Sequence, residues 1–370
     1  MPKYSVIIPV YDRPDEVDEL LTSASKQVLA TDGDGRVPSF EVIVVEDGST
    51  VTCEKVCRRH ADLDIKYYVK PNGGPGPARN YGAERATGEW LIVLDSDVIL
   101  PPGYLQAIDD ELAAAPADAF GGPDRAHPDF TPTQKAINYA MTSFFTTGGI
   151  RGGKQKLDRF YPRSFNMGVR ADLWRRLGGF RPMRFGEDID FSYRIVESGA
   201  RCRLFPQAWV WHKRRTDFRK FFRQVRNSGI ARINLHLLHP GTLKVVHALP
   251  AVFTTGVAGL ALVFAAGAVL TVAGLVAGCQ PGCNMGLILA YGGAALMVCA
   301  LLPLLLYAII IACDSTLRNR SLHVGLLSVP AAFIQLTGYG SGFLSAAWKR
   351  LVLRQKGEGF DFSSNQTFYG

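Results

Sequence analysis

Asp95 and Asp97 stand one residue apart at the carboxyl end of the apolar run Trp90–Leu94. Side chains two positions apart lie on the same side of a strand, and at its frayed end both can reach one cation. Oxygen donors of this kind suit Mg²⁺ or Mn²⁺, hard ions that commonly complete their shell with substrate phosphates. A second acidic group, Glu187, Asp188 and Asp190, opens a helix-compatible stretch over residues 188–198, where the helix dipole favours negative charge. A carboxylate within hydrogen-bond reach of a hydroxyl can take its proton, and crowding by Glu187 and Asp190 is expected to raise the pKa of Asp188. His212, in the string Trp209-Val210-Trp211-His212-Lys213-Arg214-Arg215, can complete a metal shell, with Arg214 and Arg215 set to neutralise a diphosphate. Each feature also has a plainer reading: a solvated turn, a helix cap, a basic stretch beside a membrane.

Positioning these groups requires a scaffold whose strand ends converge. Apolar runs (Tyr4–Val10, Phe40–Val45, Ile65–Val69, Trp90–Leu94) alternate with helix-compatible stretches (Glu16–Gln27, Thr52–His60, Ala78–Ala86). Near-continuous Val and Ile predict strands covered on both faces, hence an α/β sandwich with a mostly parallel central sheet. Ligands bind at the carboxyl ends of such strands. There the runs end in Tyr11-Asp12, Glu46-Asp47-Gly48-Ser49, Lys70-Pro71-Asn72 and Asp95-Ser96-Asp97. The second half is less regular, with Asn166–Arg176 expected to pass from strand into helix.

The carboxyl-terminal third has a different character. No Asp, Glu, Lys or Arg occurs from Ala248 to Cys313 or from Leu322 to Trp348. A crossing helix needs about 20 apolar residues, so the first stretch suffices for two crossings and the second for one. Pro330, Gly338, Gly340 and Gly342 interrupt the last segment, which predicts either a span or a re-entrant hairpin shielded by protein. Between Arg201 and Arg232 ten Lys or Arg face one acid, Asp217, a local +9 beside a whole-chain net charge of +8. A cationic segment before the first membrane helix fits the positive-inside bias and attraction to anionic head groups. With no leader evident before Tyr4, a cytosolic catalytic domain and a multi-pass cell-membrane location are expected. No nucleic-acid motif accompanies the basic run, so no nucleic-acid partner is expected. From Phe218 to Ile233 apolar and basic residues take opposite helical faces, which predicts an interfacial helix whose Phe face lies toward lipid or packs onto the catalytic domain. Cys279 and Cys283 share the expected outer turn, where they stand either bonded or as two small free residues. The expected division is residues 1–215 catalytic, 216–245 interfacial, 246–348 membrane and 349–370 a basic, then polar tail.

Five ordered strings give the chain a resemblance to glycosyltransferase family 2: Pro9-Val10-Tyr11, Glu46-Asp47-Gly48-Ser49, Ala78-Arg79-Asn80-Tyr81-Gly82, Asp95-Ser96-Asp97, and Gly178-Gly179-Phe180 followed by Glu187-Asp188-Ile189-Asp190. The resemblance spans about residues 3–235. It implies the GT-A fold and transfer with inversion by direct displacement from a nucleotide-sugar, by family habit a uridine one. Carried over position by position, it puts Asp47 at the nucleobase, with Pro9, Tyr11 and Asp12 shaping the nucleoside pocket, and Lys70 and Arg79 at base or phosphate. It places Asp95 and Ser96 at ribose and diphosphate, Asp95, Asp97 and His212 at a Mn or Mg ion, and Asp188 as catalytic base. Asn166, Glu187, Asp190, Arg214, Arg215 and Arg226 fall near the acceptor or diphosphate. Processive members carry Gln-x-x-Arg-Trp where this chain has Gln224-Val225-Arg226-Asn227, which argues against polymer extrusion. The string Thr147–Arg151 ahead of Asn166–Arg170 resembles members that act on polyprenyl-diphosphate-linked glycans, implying a lipid-linked acceptor and the bilayer as partners. A polyprenyl-phosphate sugar synthase, a processive synthase and a non-catalytic, membrane-tethered nucleotide-sugar sensor are the alternatives.

Overall fold

A computed structural model describes residues 2–31, 35, 37–148, 160–277 and 284–355. Cys279 and Cys283 lie outside the described residues. Among the described residues ten strands run in chain order: β1 (Tyr4–Val10), β2 (Phe40–Asp47), β3 (Ile65–Lys70), β4 (Trp90–Leu94), β5 (Val98–Ile99), β6 (Ala119–Gly121), β7 (Asp124–Arg125), β8 (Asn166–Arg170), β9 (Cys202–Leu204) and β10 (Val210–His212). The helices are α1 (Pro14–Ala24), α2 (Glu54–Arg59), α3 (Pro75–Ala83), α4 (Tyr104–Ala114), α5 (Pro132–Thr142), α6 (Phe144–Thr147), α7 (Ala171–Leu177), α8 (Glu187–Glu197), α9 (Phe218–Leu238), α10 (Leu249–Ala277), α11 (Asn284–Asn319) and α12 (Leu322–Ala347).

The main sheet has seven strands in the order β3-β2-β1-β4-β8-β6-β9. Strands β3, β2, β1 and β4 are parallel, and β8 enters antiparallel to both β4 and β6. All seven residues of β1 are buried, because helices cover both faces, which is why the strand lacks polar alternation. One core layer gathers Val6, Ile8, Val44 and Ile92 under α1 and α4, and the other gathers Ile7, Ile43 and Val93 under α3, α7 and α8. Each such fully buried aliphatic side chain contributes about 1.5–3 kcal/mol. A small second sheet, β5-β10-β7, carries His212 beside Val98 and so folds the late basic segment back onto the end of β4.

The turn between β6 and β7 passes very close to the backbone before β10. A Cβ on Gly122 would meet the Ala208 carbonyl oxygen at 1.7 Å, and that backbone cannot swing aside as a side chain can. Gly122→Ala is expected to destabilise the domain by about 1–3 kcal/mol, the cost of overpacking a filled site. Thermal unfolding of the variant beside the parent checks this, with a drop of several degrees in Tm expected.

Helices α10 and α11 form an antiparallel hairpin through small residues, Gly267 against Gly293 and Gly274 against Gly286 and Ala290. Among the described residues three helices, including α12, are long and apolar enough to cross a membrane. Two alternatives left open for this region are narrowed. The segment Leu322–Ala347 is one uninterrupted helix with Pro330 inside it, not a re-entrant hairpin. Its glycines serve close packing: Gly338 lies on Val225, Gly342 on the Arg226 carbonyl and Gly340 on the Pro250 carbonyl. The apolar stripe of α9 does not face lipid either, since Phe221 and Val225 pack with Ala136, Ile137 and Ala331, and only Phe222 remains exposed. An apolar partner within the chain was available, and packing against it satisfied the stripe.

Candidate active site

The carboxyl ends of β1 and β4 and the start of the basic segment meet at Asp97. One Asp97 oxygen accepts a hydrogen bond from Arg13 Nη1 at 2.9 Å, with Arg215 Nη1 at 3.8 Å. The other lies 3.2 Å from His212 Nε2. Burial alone would push the Asp97 carboxyl up, but His212, Arg13 and Arg215 hold it well below the usual carboxylate range. The same pair acts on His212: burial favours the neutral ring, and Asp97 overrides it to raise the imidazole pKa. Donor atoms of Asp95, Asp97 and His212 all lie within 4.8 Å of one another. Asp97 Oδ1 has His212 Nε2 as its one close polar neighbour, and His212 Nδ1 is buried with no hydrogen-bond partner, its nearest carboxylate being Asp124 at 3.9 Å, so both keep capacity for a ligand. Two carboxylates and an imidazole at this spacing fit a hard divalent ion.

A second cluster stands at the start of α8. Asp188 receives a 2.6 Å hydrogen bond from Arg163 Nε, and Glu187 a 2.9 Å bond from Arg79 Nη1. Arg79 also reaches Asp95 with Nη2 at 2.7 Å, so one buried guanidinium ties the two acidic motifs together. The expected rise in the Asp188 pKa is reversed. Burial pushes it up, but the charge and hydrogen bond of Arg163 and the charge of Arg79 outweigh that and hold it below the ordinary value. The raised group is Glu187, pushed up to about 7 by burial and by repulsion from Asp188.

Donor-side residues build the loops around this crevice. Asp12 takes a left-handed backbone, φ +52°, and its carboxylate accepts the amides of Thr50 and Val51 at 2.7 and 2.8 Å, which lock the β2–α2 loop. Those amides and the Thr50 hydroxyl hold its pKa low, the Val51 amide foremost. Asp47 is fully buried, receiving Lys70 Nζ at 2.5 Å and the amides of Gly73 and Gly74 at 2.9 and 2.7 Å. Asp47 and Lys70 thus hold the loop ahead of α3, each engaged with the other. Pro9 is the penultimate residue of β1, two before Tyr11, which faces the crevice, and Ser96 is buried between the two metal-type aspartates.

One cavity of about 1410 Å³ connects these groups to the apolar helices. Tyr11, Arg13, Asp97, Glu187 and Asp188 line its polar end, and Phe253, Leu260, Leu304 and Tyr307 its apolar end. Arg214 and Arg215 line the wall between them, Arg214 anchored on Asp124 at 2.6 Å. Three residues expected near acceptor or diphosphate are placed elsewhere. Asn166 spends its amide inside the core, accepting from Tyr104 at 2.7 Å and donating to the Ala208 carbonyl at 2.8 Å. Asp190 is fully buried among Arg181, Arg194 and His239, one helical face away from Asp188. Arg226 packs its backbone against Gly342 on α12.

Residues 5–177 match the family model for glycosyl transferase family 2. This part of the chain is a glycosyltransferase family 2 domain. A validoxylamine A glucosyltransferase from Streptomyces hygroscopicus subsp. jinggangensis is 30% identical over 241 residues, covering 56% of this chain and 55% of that protein. A pre-mycofactocin glycosyltransferase from Mycobacterium tuberculosis is 28% identical over 240 residues, covering 64% of this chain and 48% of that protein. The chain thus spans about half the length of these curated relatives. A mannosyltransferase from Pyrobaculum calidifontis, solved in complex with GDP-Man and Mn²⁺, superposes with a TM-score of 0.55 at 19% identity, covering 96% of this chain and 88% of that one. The fold is GT-A, with the mostly parallel sheet anticipated from the strand composition.

Three residues of the family 2 domain's crevice escaped sequence reasoning: Arg13 on Asp97, Arg163 on Asp188 and Asp124 on Arg214 and His212. Arg13 carried a usable signal, since it directly follows Asp12 at a strand's carboxyl end. Arg163 and Asp124 carried none, because each meets its partner only through the tertiary fold.

Proposed function

We propose that the chain transfers a sugar, with inversion at the anomeric carbon, from a nucleotide-sugar to a hydroxyl of a lipid-linked acceptor at the membrane surface. The observation that carries this reading is one cavity lined together by carboxylates, arginines and apolar helix faces. From Leu249 to Leu260 its lining climbs α10 by about 16 Å, roughly half the hydrocarbon thickness of one bilayer. Arg184, Arg223 and Arg232 line the wall between that apolar end and Asp188, where the phosphate of a lipid carrier would sit.

In this mechanism Asp188 accepts the proton of the acceptor hydroxyl as its oxygen bonds to the anomeric carbon. The bond from that carbon to the diphosphate oxygen breaks in the same displacement, and the nucleoside diphosphate leaves. Arg163 keeps Asp188 ionised and oriented, so the base is charged before the acceptor arrives. Arg13 and Arg215 supply positive charge beside Asp97, where the diphosphate develops its negative charge. A Mg²⁺ or Mn²⁺ ion bound by Asp95, Asp97 and His212 would add Lewis-acid charge at that oxygen. The basic run ahead of α10 supports a catalytic domain on the cytosolic face of the cell membrane.

The test offers radiolabelled nucleotide-sugars to the full chain with either detergent-extracted lipid-linked glycan or water-soluble sugars as acceptor. Label is expected in the lipid fraction. Transfer only to the soluble sugars would refute the lipid-linked acceptor while leaving the transferase reading intact, and no transfer to either would refute both.

A further inference from the structure

By length and hydropathy α12 is a third spanning helix, yet its contacts place it differently. Phe253 of α10 meets Tyr307 of α11 at 5.4 Å, and Gly267 meets Gly293 farther out, so the two arms of the hairpin run in opposite directions from the catalytic side. Along α12, Gly325 touches Ala312 and Thr316, Ser328 bonds Ser315 at 2.7 Å, and Phe333 meets Tyr307 at 5.5 Å. Chain number on α11 therefore falls as α12 proceeds, which moves outward. Then the Leu336 carbonyl accepts from Thr254 at 3.3 Å, Gly340 packs on Pro250, and Ala346 clusters with Ala251 and Ala248. Chain number on α10 also falls, which moves back toward the catalytic side. One unbroken helix that runs against both arms of an antiparallel pair must lie across them.

The opposite side of α12 is covered by the catalytic domain. Gly338 packs on Phe222 and Val225, Gly229 on the Tyr339 carbonyl, and Ala331 joins Ala136 and Phe221. Its apolar window is 39% buried, against 11% for each of the other two helices. These values suit a helix wedged between two protein layers better than one bathed in lipid. Beyond it Trp348 is exposed and is followed by Lys349, Arg350 and Arg354, an aromatic and cationic cluster of the kind that seats in anionic head groups.

We propose that α12 is a surface-parallel helix at the lipid–water boundary, so that only α10 and α11 cross, and that the Trp348–Arg354 end binds anionic head groups of the leaflet on the catalytic side. Hydropathy alone cannot reveal this, because the same apolar residues serve a helix buried between protein layers.

Nitroxide labels at Leu326→Cys and Leu344→Cys, in a full chain whose seven native cysteines are replaced by Ser, test it by depth in lipid vesicles. The two labels are expected within about 10 Å of the same depth, whereas a spanning helix separates them by about 27 Å. Should the cysteine-free chain misfold, trypsin digestion of the native chain in sealed, oriented vesicles answers the same question. Cleavage at Arg354 is expected from the face that exposes the catalytic domain, and cleavage only from the other face overturns the proposal. Vesicles with and without phosphatidylserine test the head-group contact: Lys349→Gln/Arg350→Gln/Arg354→Gln is expected to abolish protection of Trp348 by anionic lipid, read as a lost blue shift of its fluorescence. An unchanged shift overturns that part.

Discussion

Asp188→Asn is expected to lower kcat by about 10²–10⁴-fold, the usual contribution of a positioned general base. Donor affinity should stay within a factor of about two to three, because the substitution keeps the shape of the side chain and leaves Asp95 and Asp97 untouched. Single-turnover transfer and donor titration separate the two quantities. The same pair of measurements divides an enzyme from a nucleotide-sugar sensor, since a sensor would be indifferent to the change. Glu187 offers a sharper control. It is the acid pushed up to about 7, so as the base it would make kcat/KM fall as pH drops through neutrality. Asp188, held below the ordinary carboxylate value, stays ionised across that range and predicts no such loss. Glu187→Gln should therefore remove any acid limb near pH 7 while most turnover survives. Abolished turnover in Glu187→Gln with activity retained in Asp188→Asn would reverse the assignment.

The sign of the Glu187 shift also bears on stability. A carboxyl raised in the folded state is favoured when protonated, so its contribution is present at low pH and is lost as pH climbs from the unfolded value toward about 7. Part of the active-site architecture is thus strained at the pH where the base works. Arg79, shared between Glu187 and Asp95, offsets that strain and explains why a guanidinium is buried there.

The second large effect concerns the cation. Chelation is expected to reduce transfer by at least about 10²-fold, with Mn²⁺ or Mg²⁺ restoring it, and Asp97→Ala should make that restoration fail. Donor binding measured by thermal shift with and without Mn²⁺ provides a reading independent of turnover, because a ligand selective for the folded state raises Tm. A Tm response to donor that ignores both chelator and Asp97→Ala would remove the metal from this site. Positive charge from Arg13 and Arg215 already surrounds Asp97, and it accounts for whatever binding survives.

Strand β4 was readable to the residue, because five consecutive apolar positions ending in Asp95 admit one interpretation in a sheet covered on both faces. The helices were displaced by up to three residues: α1 starts at Pro14 and α3 at Pro75, since proline serves the first helical turn. The acidic motifs and His212 were visible as types and spacings, and the fold brought Asp95, Asp97 and His212 together. Their electrostatics were not visible. A pKa depends on which charge lies within a few ångströms, and Arg163, 25 residues from Asp188 in the chain, has no local signature. For the same reason Asn166 and Asp190, polar residues inside family-like strings, were assigned to the site although the structure spends them on the core and on the α8–α9 contact.

Local sequence by itself determined the α/β alternation, the two acidic motifs and the existence of a long apolar region, because each depends on periodicity, residue chemistry or a run of uncharged residues. Tertiary structure alone decided which carboxylate is held low and which is raised, that the Phe face of α9 meets protein, and that α12 is one unbroken helix. Those outcomes depend on partners distant in the chain, and an apolar residue carries no mark that distinguishes lipid from another helix as its neighbour.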